Sequence, residues 1–353
     1  MRHHLLAACV AAPVLLSAAY ADTISAALDH APIGVMGDHT HKKGEWMFSY
    51  RLMQMQMEGN RVGESHVSPT EIVTGVENPF GMPPYLRVVP EEMSMTMHML
   101  GAMYAPSDRV TLMAMVNYTS QEMDHLTYQG MMGSNLLGTF STSAEGFGDV
   151  SVTALVSLFE KEHLKVHGGL GLSLPTGSIE QTDAVLTPMN MQADLRLPYP
   201  MQLGSGTYDL KPSLTLTNKT HDARFGGGVQ YSGIVRLDEN DAGYTLGDRH
   251  ELTAWGAWSP DPRVSFSLRS IAWTKDSIDG DDALIRAPVQ TANPDFHGGE
   301  GVDPGFGMNL LGTEGAIRGY RLGAELVVPV KRDLNGPQLE TDWTATLGLQ
   351  KAF

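Results

Sequence analysis

The chain has 353 residues, 42% of them hydrophobic, with 38 glycines, a single cysteine and a formal net charge of −16. That acidity argues against nucleic acid as a partner, because a phosphate backbone requires a basic surface; acidic runs such as Asp238-Glu239-Asn240-Asp241 and Asp279-Gly280-Asp281-Asp282 read as solvated loops. A lone cysteine rules out a disulfide framework, and no segment beyond the N-terminal leader approaches the roughly 18 consecutive apolar residues of a membrane helix.

The leader comes first. Arg2, His3 and His4 precede an apolar stretch from Leu5 to Ala18, followed by the small-x-small site Ala19-Tyr20-Ala21. This predicts a secretory signal peptide over 1–21 and a mature chain starting at Asp22. Leu6-Ala7-Ala8-Cys9 has the residue types of a lipoprotein signal, but Cys9 comes before a hydrophobic region could form. Residues 22–44 are expected to be a periplasmic N-terminal segment or a plug. They carry Met36-Gly37-Asp38-His39-Thr40-His41, in which an extended His-x-His pair would place both imidazoles on one side, with Met36 and Asp38 nearby.

From residue 45 to 353 the pattern is two-periodic, and we read twelve strands. The first spans about 46–56 with Trp46, Phe48, Tyr50 and Leu52 outward; the second, 93–104, turns out Leu100, Ala102 and Tyr104. The third (109–119) turns out Val110, Leu112, Ala114, Val116 and Tyr118, the fourth (149–159) Val150, Val152, Ala154, Val156 and Leu158, and the fifth (164–174) Leu164, Val166, Leu170, Leu172 and Leu174. The sixth and seventh cover 207–217 and 225–237, the eighth and ninth 249–258 and 264–273, and the last three 302–311, 319–330 and 341–353. In the last, Trp343, Ala345, Leu347, Leu349, Lys351 and Phe353 share one face, with aromatics at both ends.

About eleven tilted residues span a bilayer, and aromatic girdles mark its interfaces. Connections alternate between short turns and long Gly/Pro/Asn/Asp-rich loops near 60–91, 120–147, 175–206 and 274–300. The fold class predicted is therefore all-β: a transmembrane antiparallel up-and-down β-barrel of twelve strands, with ten or fourteen as alternatives, in the outer membrane of a Gram-negative bacterium. A soluble sandwich would alternate too, but would not need aromatics repeatedly at strand ends. The partners this implies are outer-membrane lipid, a small-molecule solute, and the barrel-assembly machinery through the C-terminal Phe353.

Methionine supplies the candidate site. Sixteen of 21 lie between Met36 and Met132, and they are in phase. Met47, Met53, Met55 and Met57 share the inward face of the first strand with Ser49 and Arg51; Met93, Met95, Met97, Met99 and Met103 line the second, and Met113 and Met115 the third. A three-residue turn at Ala105 to Ser107 would set Met99 opposite Met113 and Met97 opposite Met115, close enough for two sulfurs to share a ligand. Thioethers select Cu(I) and imidazole also suits copper, so Met36, His39, His41, Met53, Met55, Met57, Met95, Met97, Met99, Met113 and Met115 form a hypothetical copper-contacting or lumen-lining set. Methionine is equally a flexible apolar filler, suited to packing a narrow barrel or to passing oily solutes. His98 falls on the outward face.

An enzyme is not expected. No outward serine lies predictably beside a histidine, and Gly226-Gly227-Gly228 is a barrel kink rather than a phosphate loop. No cofactor is implied beyond the copper alternative. Six blocks resemble a family of bacterial outer-membrane proteins described as transporters of the phenol-degradation meta-pathway type: MGDHTHKKGEWMFSYRLMQMQMEGN (36–60), APSDRVTLMAMVNY (105–118), GFGDVSV (146–152), GLSLPTGS (171–178), LPYPMQLGSGTYDL (197–210) and GPQLETDWTATLGLQKAF (336–353). The first and fifth are the distinctive ones. The resemblance implies an outer-membrane barrel with a transport role, in part of the family linked to aromatic compounds, and brings no binding residues with it. A channel for a small, hydrophobic or aromatic solute is the leading expectation, with a copper-contacting or copper-sequestering protein as the alternative.

Overall fold

In the computed structural model, which describes residues 26–353, the chain closes into a twelve-stranded antiparallel barrel. The signal peptide and its cleavage at Asp22 lie outside the described residues. The staves are β1 (Trp46–Gly63), β2 (Val88–Ser107), β3 (Val110–Tyr128), β4 in two limbs (Leu136–Phe147 and Val150–Glu160), β5 (Leu164–Leu174), β6 (Asp209–Lys219), β7 (Phe225–Arg236), β8 (Arg249–Asp261), β9 (Val264–Lys275), β10 (Gly299–Leu311), β11 (Tyr320–Val327) and β12 (Lys331–Ala352). Each pairs with its neighbours in sequence, and β12 returns to β1, with Leu347 opposite Leu52 and Ala352 opposite Met47. Closure leaves no free sheet edge.

The alternation sorts the two faces as its chemistry requires. Trp46, Phe48 and Tyr50 are exposed while Met47, Ser49 and Arg51 between them are buried; on β12, Leu347 and Leu349 are exposed while Thr346 and Gln350 are buried. Around the end with short turns the outer surface carries an aromatic belt, in which Trp46 contacts Tyr104 (4.5 Å between ring centroids), Phe48 contacts Phe353 (6.2 Å) and Trp258 stacks on Phe266 (6.2 Å). Tyr50 and Tyr231 approach the outward His98 and His250 through their hydroxyls, at 2.8 and 2.9 Å. Among the described residues no helix is long and apolar enough to cross a membrane.

Several strands run further than the sequence pattern predicts. β1, β2 and β3 are 18, 20 and 19 residues long, and 120–147, expected to be loop, is mostly ribbon: the upper part of β3 pairs with Leu136–Phe147, for example His125 with Phe140. Beyond the apolar belt the outward set is polar (Ser120, Glu122, Asp124), so the alternation persists without a greasy face to reveal it. β12 starts at Lys331 rather than 341, because Lys331–Leu334 continue the run of β11 beside β10 before the chain reverses at Gly336, whose φ of +71° suits glycine.

At the same end the long loops carry structure of their own. Helix α1 (Pro69–Gly75) starts with a capping box between Ser68 and Glu71. The loops bury two apolar clusters, one around Tyr199, Tyr244, Ile278, Ile285 and Val289, the other around Ile72, Val73, Leu86, Val89 and Tyr128.

Candidate functional site, a lumen occupied from both ends

Residues 26–41 have almost no regular structure, so their backbone polar groups need partners other than a ladder. They find them on inward-facing side chains around the barrel. Arg51 Nε donates to Ile33 O (3.2 Å), Gln230 Nε2 to Met36 O (2.9 Å) and Arg321 to Ala31 O; Glu325 accepts from Gly34 N (2.9 Å), and Thr111 Oγ1 from His41 N (2.9 Å). His167 Nε2 lies 2.8 Å from Gly37 O. These partners come from β1, β3, β5, β7 and β11, so the segment is enclosed by the wall.

Missing side chains on that wall make the room. An added Cβ at Gly348 would lie 2.6 Å from the Ile33 side chain, and one at Gly323 2.9 Å from it; Gly226 faces Leu28 in the same way at 3.2 Å. Ala31 and Val35 pack on Trp255. Lys219 closes the seam with an ion pair to Asp29 at 2.6 Å.

The opposite end is entered by the loop between β5 and β6. Leu197 and Met201 are fully buried against Met93, Met123 and Ala144, and Gln121 Nε2 donates to Pro200 O at 3.2 Å. Ser205 and Thr207 anchor the loop on the inward carboxylates, Ser205 Oγ to Asp149 Oδ2 (2.7 Å) and Thr207 Oγ1 to Asp209 Oδ1 (2.6 Å).

Between the two occupants lies the methionine wall, and the register defines its rows. Met47 pairs with Met103, which pairs with Met113; Arg51 pairs with Met99 and then Asn117; Met53 with Met97 and then Thr119; Met55 with Met95 and then Gln121; Met57 with Met93 and then Met123. The expected pairings of Met99 with Met113 and of Met97 with Met115 do not form: the β2–β3 turn closes at Ser107 and Val110, and Met115 faces Gly101. Pro106 lies in an irregularity between Tyr104 and Ser107 rather than in the turn, as proline, lacking a ladder donor, requires. Thioethers pair at four positions between β1 and β2, and between β2 and β3 at two others, Met103 with Met113 and Met93 with Met123.

The end rows are packing. Met47, Met103 and Met113 surround Leu155 beneath the N-terminal segment, and Met57, Met93 and Met95 meet the descending loop. The Met53–Met97–Thr119 row falls between Arg51, which holds the segment, and Gln121, which holds the loop. Successive inward rows are about 6.8 Å apart, so this band is one to two residues deep.

A second constellation sits within the segment. His39 and His41 are brought together, ring centroids 4.9 Å apart, and His30, which the sequence reading passed over, lies 5.0 Å from His39. Asp38 Oδ1 is 2.7 Å from His39 Nδ1, and its Oδ2 accepts from Ala31 N at 2.9 Å. Burial, and then Arg321, hold the His30 pKa well below the usual imidazole range, while burial and His39 lower His41 to about 4. Burial pushes the Asp38 carboxyl up, but His39, Arg321 and His30 together outweigh it and hold the group well below the usual carboxylate range. Met36 contributes its carbonyl to Gln230 and is not among the residues lining the cavity beside these imidazoles.

The fold defines a class: an up-and-down, twelve-stranded barrel closed by one chain, with its own N-terminal segment inside. Among solved structures the chain is similar to the COG4313 outer membrane channel from Pseudomonas putida F1, 13% identical, with 91% of this chain and all of the other covered at a TM-score of 0.59. Looser likenesses join it to the deltaS2S3 mutant of the TodX monoaromatic hydrocarbon channel (9% identity, 89% and 91% covered, TM-score 0.47) and to the Ralstonia pickettii toluene transporter TbuX (8%, 89% and 90%, 0.45). At these identities the likeness concerns the fold. No family model matches the chain, and no curated protein does.

Proposed function

We propose that this protein is an outer-membrane channel for a small apolar solute, with aromatic compounds as the favoured class. The observation that carries the reading is the Met53–Met97 pair, a thioether row of the inward wall between the anchor of the N-terminal segment at Arg51 and that of the 197–207 loop at Gln121. Thioethers contact ring edges favourably and adapt to shape, which suits solutes of varied outline. The closed barrel with its aromatic belt supports insertion in the outer membrane after export, with Phe353 as the signal for assembly, and the sequence resemblance to the phenol-degradation transporter family points to the same solute class. Passage requires the N-terminal segment and the 197–207 loop to yield, so flux is gated rather than open.

The test is accumulation of a labelled aromatic hydrocarbon in a deletion strain complemented with wild type or with Met53→Glu/Met97→Glu. Charges in the band should lower accumulation about tenfold or more, since an unpaired carboxylate makes apolar passage costly; unchanged accumulation at equal barrel levels would sink the reading. The paired thioethers of β1 and β2 support a second reading, contact with Cu(I). A competition titration, repeated after replacing Met53, Met55, Met95 and Met97 with leucine, decides it: affinity that leucine leaves untouched is not thioether binding.

A further inference from the structure

We propose that the N-terminal segment carries a binding site for one divalent transition ion of borderline hardness, the Zn2+ and Cu2+ class, formed by His30, His39 and Asp38 with His41 alongside. One ligand atom from each of His30, Asp38 and His39 lies within 4.8 Å of the others, and all three residues belong to the segment rather than to the wall. A loaded shell, with metal–nitrogen distances of about 2.0–2.1 Å, brings donors closer than this, so binding draws the rings inward.

Unmet hydrogen-bonding capacity distinguishes the cluster from ordinary packing. Both nitrogens of His30, and Nε2 of His39 and of His41, are buried without a partner, a costly condition for polar atoms removed from water. In His39 and His41 the other nitrogen already faces a carboxylate: Asp38 at 2.7 Å and Glu45 at 3.3 Å. A carboxylate on one imidazole nitrogen fixes the ring and leaves the other for a metal. A cavity of about 70 Å3 adjoins the cluster, and its lining adds the imidazoles of His163 and His167, while the carboxylates there, Asp29 and Glu160, are paired with Lys219 and Lys165. Arg321, donating to the Ala31 carbonyl, works against a cation, and Asp38 faces that charge.

The donor set fixes the class of ion. Imidazole nitrogens and a carboxylate oxygen suit Zn2+ or Cu2+, whereas Cu(I) prefers sulfur, so this site is separate from the methionine wall and does not depend on what the lumen passes. Its consequence is mechanical. His30 and His39 bracket the Ala31–Asp38 loop that Arg51, Gln230 and Glu325 hold, so an ion joining them staples that loop in its lumenal shape, and binding energy becomes seating energy.

Full-length protein folded in detergent would be titrated with Co2+ as a spectroscopic stand-in, followed by Zn2+ competition. One saturable equivalent with visible d–d bands, displaced by Zn2+, is expected, with affinity at least tenfold lower in His30→Asn and His39→Gln and unchanged in Met97→Leu. Zn-edge absorption on the wild type then identifies the donors without any variant: a nitrogen/oxygen shell with imidazole scattering is expected. Absence of saturable Co2+ binding, a sulfur shell, or wild-type affinity in both histidine variants would overturn the proposal.

Discussion

The two sides of the lumen wall differ in what they meet. From β1 to β3 the inward face is largely thioether, and it meets apolar matter: Leu155, Leu197 and Met201. From β6 to β12 it is ionic and amide-rich: Arg236 pairs with Asp209 at 2.5 Å, Arg269 with Glu325 at 3.0 Å, Arg332 with Asp303, and Arg321 donates to Asn309. This side meets bare backbone, since the Ala31–Gly34 stretch has no sheet to join. Polarity is therefore concentrated where an irregular chain must be satisfied, and sulfur where a surface must be filled or stay adaptable. Both walls hold backbone, since Arg51 and Thr111 also bind the segment and Gln121 the loop; the β1–β3 wall adds an adaptable sulfur surface between those anchors.

The largest effect expected from breaking this contrast is on the ionic side. Glu325 is buried, 3.0 Å from Arg269 in charge contact and bonded to Gly34 N. Glu325→Ala leaves Arg269 uncompensated and should cost about 3–5 kcal/mol, measured by urea unfolding in detergent, while making the N-terminal segment more accessible to protease at Lys42 and Lys43. A stability within 1 kcal/mol of wild type, given as an order of magnitude for surface changes, would mean the pair does not seat the segment.

Next comes the response to acid of the loop before β10, which belongs to neither wall. His297, in the loop before β10, is buried with Nε2 3.0 Å from Thr291 O. Burial, reinforced by Lys275 and opposed by the bond to Thr291, lowers its pKa to about 3. A histidine depressed in the folded state binds its proton more readily unfolded, so its stabilising contribution is whole above the ordinary imidazole pKa and declines as pH falls from about 6.5 toward 3. Loss of about 2 kcal/mol of local stability at pH 5 is expected, read by amide exchange at Ile278 to His297 and abolished in His297→Gln. Acid-insensitive exchange in these loops would refute it.

How much of this is legible without coordinates depends on the period. The lipid face and the inward phase of the methionines repeat every two residues, so Trp46, Phe48, Met53 and Met97 fall on the faces their alternation predicts. Register does not follow from alternation: Pro106 looked like a turn residue, yet the turn closes beyond it, so Met113 pairs with Met103 rather than Met99, and Met97 pairs with Met53 of β1 and Thr119 of β3 rather than with Met115. His30 carried no spacing signal, because eight intervening residues fold back to bring it beside His39. The destination of the loop that descends on Met93 and Met123 was not legible either: Leu197, Tyr199 and Met201 alternate at a strand's period, but Pro198 and Pro200 between them exclude a ladder, and nothing in the spacing says that these side chains enter the barrel.

A smaller effect is expected where the segment fits the wall by shape alone. Ile33 occupies space that Gly348 and Gly323 leave open, and Gly348→Ala would put a methyl 2.6 Å from its side chain. Overpacking of this kind costs about 1–3 kcal/mol, with the low end expected because Ile33 belongs to an irregular segment that can shift. Increased single-channel conductance in planar bilayers is the readout, and Ile33→Ala in the same chain should restore the wild-type trace. A double variant that conducts like Gly348→Ala would disconnect Ile33 from the effect.

The smallest effect separates filling from function on the methionine side. Met97→Leu conserves volume and apolarity, so its cost should stay below about 1.5 kcal/mol, and flux of an aromatic solute should remain within twofold. Met123→Leu, in the row already packed against Leu197 and Met201, should behave alike in stability. The two positions part only when charge is introduced: Met123→Lys strains a packed cluster and lowers unfolding stability, whereas Met97→Lys, between the occupants, lowers flux while the fold holds. If both lysine variants lose stability equally, the middle row is packed like the ends, and the wall is filler throughout.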